Sequence, residues 1–397
     1  MVEPSAFFDL DSDPLHPSLL VIMQELPMEL INAIVENVSS PTDLLHLRRV
    51  NRTYRELVTP LVFSRLHVKS SIQSAQNFQQ IIGTANLTTH VREVVYDSRD
   101  NERFQFPSEN IDLEDALEVA ELEEALTEAF CAITTLPNIE HVELNFWPSF
   151  ISQSGKEVRE SPFWFTNRQL AVLHAVYHAM KTSCMTSLSL NNVVVMPAPC
   201  YDFVSSLTNS PLSHLSLSVV SNAEISAWSG TKDINGSLGA LLPPANPSLK
   251  SLVIHSPQGL YHSLTTHLSS FHYPSLEHLA LGNIVFDQTP SADGLEEFVI
   301  RHKDSLRRLE LRSCASYVEG SPIEARARRW SSIWQRWMTE LTGLEEIVVD
   351  SDSQGYVMLD ADRGYVNHRP IEAVAAEEDS SSLQVFRDAV AGRLMVI

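Results

Sequence analysis

Leu276-Glu277-His278-Leu279-Ala280-Leu281 has a counterpart 30 residues later in Leu306-Arg307-Arg308-Leu309-Glu310-Leu311, and another 27 residues earlier in Leu249-Lys250-Ser251-Leu252-Val253-Ile254. Each reads L-x-x-L-x-L. The last three residues alternate apolar, polar, apolar, which is the mark of a short strand with one buried face. The same spacing occurs at Val91/Val94/Tyr96, Ile139/Val142/Leu144, Met185/Leu188/Leu190, Leu212/Leu215/Leu217 and Leu344/Ile347/Val349. Eight copies at steps of 48, 46, 27, 37, 27, 30 and 38 residues make an internal repeat rather than chance.

Helical patterns lie between the copies. Leu122, Leu126, Phe130 and Ile133 share one face, as do Leu170, Leu173, Val176 and Met180. Leu295, Phe298 and His302 form a third face, and Trp330, Trp334, Trp337 and Leu341 a fourth; the tryptophan spacing points to core. Strand-then-helix repetition builds a parallel-stranded solenoid with helices on its convex side. The pattern resembles leucine-rich repeats, whose usual length is about 20–29 residues. Several steps here are longer, and only Cys314 supplies the Asn or Cys that follows the motif in regular members, so the array is degenerate.

If the apolar members of each strand point inward, their alternates project from the concave face. The early rungs then present Glu93, Val95, Asp97, His141, Glu143 and Asn145; the middle ones are small and hydroxylated; a late one carries Arg308 and Arg312. These two arginines lie near Arg301, Lys303 and Arg307 on an otherwise acidic chain. They are expected to help bind an acidic or phosphorylated segment of a target, because guanidinium matches phosphate bidentately. The opposing expectation is neutralisation by Asp304, Glu310 and Glu346. His278, His255 and Ser216 complete the expected target-binding face.

Upstream of the repeats the pattern changes. Leu30, Ile34 and Val38 recur every fourth residue, flanked by Ile31 and Val35, after Leu26-Pro27 opens a helix. Ser40 can cap a second helix, with Pro41 at its first position and Leu44, Leu47 and Val50 along its stripe. A third segment runs from Asn51 to Thr59 and stops at Pro60, before the apolar run Leu61-Val62-Phe63. About 40 residues with so much apolar surface are marginal alone, so a partner surface is expected.

Leu26-Pro27-x-Glu29-Leu30-x-x-x-Ile34, Asp43-Leu44-x-x-Leu47-x-x-Val50-x-x-x-Tyr54-Arg55-x-Leu57 and Pro60-x-x-Phe63 together resemble an F-box. Tyr54 stands where many F-boxes carry Trp, and Asn51 at a common Cys position. The resemblance implies docking on a Skp-type adaptor and, through it, on the cullin core of an SCF (Skp–cullin–F-box) ubiquitin ligase. It implies that Leu26, Pro27, Leu30, Ile31, Ile34, Leu44 and Leu47 line that contact.

The remaining features chiefly exclude. A formal charge of −22 argues against nucleic acid and anionic lipid as partners. Cys131, Cys184, Cys200 and Cys314 make no C-x-x-C pair, which fits buried thiols in a reducing compartment. The run Leu19 to Met23 is too short for a signal segment, no stretch of about 20 apolar residues occurs, and a cytosolic or nuclear location is expected. The sequons at Asn37, Asn51, Asn86 and Asn235 then read as chance. No phosphate-loop, dinucleotide, G-x-S-x-G or H-E-x-x-H motif is present. Asp350-x-Asp352-x-Gln354-Gly355 mimics an EF-hand start but has Ala361 where the bidentate Glu belongs. His255, His262, His267, His272 and His278 lack a completing Cys or carboxylate in sequence.

The expected organisation is α/β: a lead-in at 1–22, an F-box at 23–68, an irregular leucine-rich-repeat solenoid at 69–375 and a capping helix at 376–397. The expected function is a monomeric substrate-recognition adaptor holding a protein target, not an enzyme, with no cofactor and no metal. The rival expectation is a repeat scaffold whose N-terminal helices are only a cap.

Overall fold

The computed structural model describes residues 26–98, 113–146, 163–194, 204, 207–208, 210–220, 241–257, 268–287, 291–319, 326–350, 354–360 and 364–394. The expected lead-in, most of the polar segment after Asp97, and Cys200, Asn235, His262 and His267 lie outside the described residues. The chain divides into two compact units, Met1–Arg65 and Leu66–Ile397. The sequence places that boundary after 68; it comes earlier because Leu66 and Val68 are buried strand residues of the second unit.

In the first unit three helices follow one another: α1 (Met28–Glu36), α2 (Pro41–Val50) and α3 (Arg52–Phe63). Their starts are set by local chemistry. The Asp43 N–H donates to Ser40 Oγ with Pro41 in the first turn, and the Tyr54 N–H donates to Asn51 Oδ1. The core is Ile31, Val35, Tyr54 and Val58, with Leu26, Leu44, Leu47, Val50, Leu57 and Val62 packed around it. Contrary to expectation, α3 runs through Pro60. The missing N–H falls opposite the exposed Glu56, and Arg48 ties down the last turn by donating to Thr59 Oγ1 (2.9 Å) and lying 5.1 Å from the Phe63 ring centre.

The second unit is built on a nine-stranded sheet whose strands stand in chain order: β1 (Arg65–Lys69), β2 (Glu93–Asp97), β3 (His141–Asn145), β4 (Ser187–Val194), β5 (His214–Val220), β6 (Ser251–His255), β7 (His278–Gly282), β9 (Arg308–Arg312) and β12 (Glu346–Val349). From β2 onward the pairs are parallel and in one register, Glu93–His141–Ser187–His214–Ser251–His278–Arg308–Glu346. The eight L-x-x-L-x-L copies are these strands. Their apolar members are buried, except that Ile347 in the last copy is half-buried.

Parallel neighbours need a crossover, and the length of each step decides its form. The two longest hold α6 (Leu113–Cys131) and α7 (Phe163–Met180). Among the described residues, the step from β6 to β7 carries a 3-10 turn at Leu268–Ser270, and the next takes α8 (Leu295–Arg301). The shorter helices α4 (Ile72–Ile82) and α5 (Ala85–Thr88) precede β2. Helices cover the apolar face: Tyr96 of β2 meets Phe130 of α6 edge-on at 5.5 Å, and Phe130 meets Phe78 of α4 at 6.4 Å. After β7 and β9 the chain turns away through a residue with positive φ, Asn283 and Ser313, and a third such residue, Asn192, lies within β4 where its register with β5 shifts.

A second sheet joins β11 (Arg326–Ala327), β10 (Ala315–Glu319), β13 (Gly355–Asp360) and β14 (Gly364–Asn367), with β8 (Val285–Phe286) also on β10. β13 and β14 pair as an antiparallel hairpin around Asp360 and Gly364. Beside it, α9 (Trp330–Glu340) and α10 (Arg369–Leu394) enclose Trp330, Trp334 and Trp337, all buried; Trp330 and Trp334 stack at 4.9 Å. The final helix is longer than the expected one because it starts right after β14. No helix among the described residues is long and apolar enough to cross a membrane.

Candidate functional site

Two surfaces carry the residues singled out from the sequence. On the helical unit, Leu30 (52%) and Ile34 (37%) are exposed, one turn apart on the same face of α1, and Met28 (49%) and Leu61 (47%) are exposed as well. These are four of the six large apolar side chains exposed among the described residues, concentrated in a small unit. Pro27 is exposed too, and Leu26, Leu44 and Leu47 are half-buried at the margin of the core. Ile31 corrects the expectation. At 5% exposure it belongs to the unit's own core with Tyr54 and Val58, and cannot line a contact without unpacking it.

On the nine-stranded sheet, the alternates of the buried residues form a polar, half-exposed face. Its late rungs converge on Glu310, which is only 4% exposed. Arg308 and Arg312 donate to its two oxygens at 2.7 Å, and His278 Nε2 lies 3.2 Å from Oε1. Burial works against the charge of Glu310, but the bonds from Arg308 and Arg312 outweigh it and hold the carboxyl below its ordinary range. Arg308 also donates to Glu346 at 2.7 Å. The basic cluster is thus neutralised largely from within; Arg312, 68% exposed at its side chain, presents the most open guanidinium of the group. Of the five residues expected to bind a target, Arg308, Arg312 and His278 come together here. His255 stands apart over Gly282, where an added Cβ would lie 2.9 Å from that of His255, and burial lowers its pKa. Ser216 lies between Ser189 and Val253 and joins no cluster.

The early rungs hold a second polar group. Glu93, His141 and Ser187 are paired across β2, β3 and β4, and Glu143 follows two residues after His141 on the same face. His141 Nδ1 lies 2.8 Å from Ser187 Oγ, and Nε2 3.9 Å from Glu93. Asn145 and Asn191 both donate to Glu143 Oε1, at 3.1 and 3.4 Å. Sequence reading named these residues as alternates but did not bring them together. Stacking the copies at 91, 139 and 185 in one register is the signal that would have.

Ser251, His278 and Glu310 stand in the order of a hydrolase relay, with Ser251 Oγ 3.0 Å from His278 Nδ1. Nucleophilic chemistry is nevertheless poorly served. The Ser251 N–H is spent on the Ser213 carbonyl within the sheet, so it cannot help form an oxyanion hole, and two arginines already engage the carboxylate. What the face offers is recognition by hydrogen bonds and charge. No protein-family model matches the chain, and no curated protein matches its sequence.

Proposed function

We propose that the chain is a substrate-recruiting adaptor of the F-box type, in which α1–α3 dock on a Skp-type adaptor and an irregular leucine-rich-repeat solenoid holds a target protein. The observation that carries this reading is the pair Leu30 and Ile34, apolar, exposed and one helical turn apart, while the neighbouring Ile31 and Val35 of α1 fill the unit's core. Isolated exposed apolar residues are ordinary; a cluster in so small a unit asks for a covering surface. The resemblance of Leu26-Pro27 through Phe63 to an F-box names the cover, and a following array of parallel strands fits the order of modules such adaptors use.

The mechanism is proximity. The solenoid's polar concave face binds the target while the docking unit tethers it to the cullin core, which raises the effective concentration of target lysines near the charged ubiquitin carrier. No residue of this chain performs the transfer. The adaptor contact falls to Pro27, Leu30 and Ile34, with Met28 and Leu61 joining and Leu26, Leu44 and Leu47 at its edge; Ile31 supports it from beneath. Arg312 and His255 are the side chains of the sheet face best placed to meet the target.

Co-expression with a Skp-type adaptor tests the reading: the two chains should co-purify as a stoichiometric complex that also captures a cullin. A chain that folds and elutes alone would favour a free-standing repeat scaffold.

A further inference from the structure

We propose that Glu93, His141 and Glu143 form a binding site for one divalent transition-metal ion of the zinc class on the polar face of the nine-stranded sheet. Each residue contributes one ligand atom, and the three atoms lie within 4.8 Å of one another. All three side chains are half-buried and stand on a packed strand framework. The convergence is built by the sheet. His141 is paired with Glu93 on the neighbouring strand, and Glu143 lies two residues further along β3 on the same face.

The donor set selects the metal. One imidazole nitrogen with two carboxylate oxygens suits zinc and its neighbours in the first row, whereas calcium takes about 6–8 oxygens. Zinc–ligand distances of about 2.0–2.2 Å in a tetrahedron put ligand atoms roughly 3.4 Å apart. Half-exposed glutamates reach that spacing by small rotations, and water fills the fourth position.

The surroundings match the outer shell such a site needs. His141 Nδ1 lies 2.8 Å from Ser187 Oγ, and in the tautomer that donates there the lone pair is on Nε2, the nitrogen that lies toward Glu93. The Asn145 and Asn191 amides hold the Glu143 carboxylate through Oε1, and Asn191 also donates to Asn145 Oδ1 at 2.7 Å, which locks the pair. Around His278, in the other Ser–His–Glu group of this face, two arginines engage the carboxylate of Glu310. A cation is repelled there.

The experiment is a zinc titration of the full chain, stripped by chelator, in competition with a chromophoric chelator, with cobalt absorbance reporting coordination. The expected result is one ion per chain at micromolar affinity, with cobalt giving the intense bands of a four-coordinate site. His141→Ala and Glu143→Gln should each weaken binding by about 100-fold, and Ser187→Ala by about 10-fold, in line with outer-shell substitutions. His278→Ala should leave it unchanged. Far-UV circular dichroism checks that each variant is folded, and Glu143→Gln, being isosteric, keeps the test open if His141→Ala is not. Absence of a stoichiometric zinc site, or affinity unaltered by Glu143→Gln, would overturn the proposal.

Discussion

Leu30 and Ile31 are consecutive in α1 and differ sharply in burial, Leu30 being 52% exposed and Ile31 5% exposed. The separation divides stability from docking. Ile31→Ala removes a side chain from the small core with Val35, Tyr54 and Val58 and should cost about 2–5 kcal/mol, enough to melt a unit of this size. Leu30→Ala should change stability by no more than about 0.5 kcal/mol. Hydrogen exchange of the amides in 28–63 reads both outcomes; equal loss of protection would contradict the assignment.

Tyr54 is fully buried, and its hydroxyl has no hydrogen-bond partner among the described residues. Tyr54→Phe should therefore stabilise the helical unit by about 1 kcal/mol, since a buried unpaired hydroxyl is a net cost. The same exchange experiment would show slower opening of α3. Faster opening would mean that the hydroxyl is satisfied after all.

How much of this was legible in sequence depended on periodicity. A strand with one dry face stamps apolar residues at every second position, so the eight copies could be read with their register. β1 escaped because an F-box drawn to 68 absorbs Phe63, Leu66 and Val68 into the helical unit. The second sheet escaped because β8 and β11 have only two residues each and β10 meets its partners by tertiary contact around Val285, Ala315 and Val357. On α1 both Leu30/Ile34 and Ile31/Val35 are apolar pairs one turn apart, so spacing alone could not tell which faced inward. The grouping of Glu93 with His141 and Glu143 needed register between copies 48 residues apart, which no single motif contains.

His302 ends α8 in the core, where the Tyr273 N–H donates to its Nε2 at 3.0 Å and Nδ1 meets the Phe298 carbonyl at 2.7 Å. Burial pushes its pKa down from 6.5 to about 4, partly opposed by the bond to Phe298 and aided by His272 and Arg301. Above pH 6.5 the ring is neutral folded and unfolded, and contributes no pH dependence. Below that, the unfolded chain takes up a proton that the folded chain refuses, so stability should fall by roughly 1.4 kcal/mol per pH unit until about pH 4. Urea denaturation between pH 7 and 4 should show this loss, and His302→Gln should flatten its slope. An unchanged slope in the variant would assign the effect elsewhere.

Gly282 leaves the space that the His255 side chain occupies on the polar face. Gly282→Ala would set a methyl 2.9 Å from the His255 Cβ and should destabilise the sheet by about 1–3 kcal/mol. Pairing it with His255→Gly, which removes that Cβ, should recover most of the clash in a double-mutant cycle. Additive effects would show that the two positions do not meet.

The most direct measurement is titration calorimetry of the purified full chain with a Skp-type adaptor, comparing the wild type with Leu30→Asp/Ile34→Asp. Adaptor docking through the exposed face of α1 predicts one-to-one binding by the wild type and a loss of at least about 100-fold, or about 2.7 kcal/mol, in a double mutant whose circular dichroism is unaltered. Equal affinity in the two proteins, or no binding by a well-folded wild type, would contradict it.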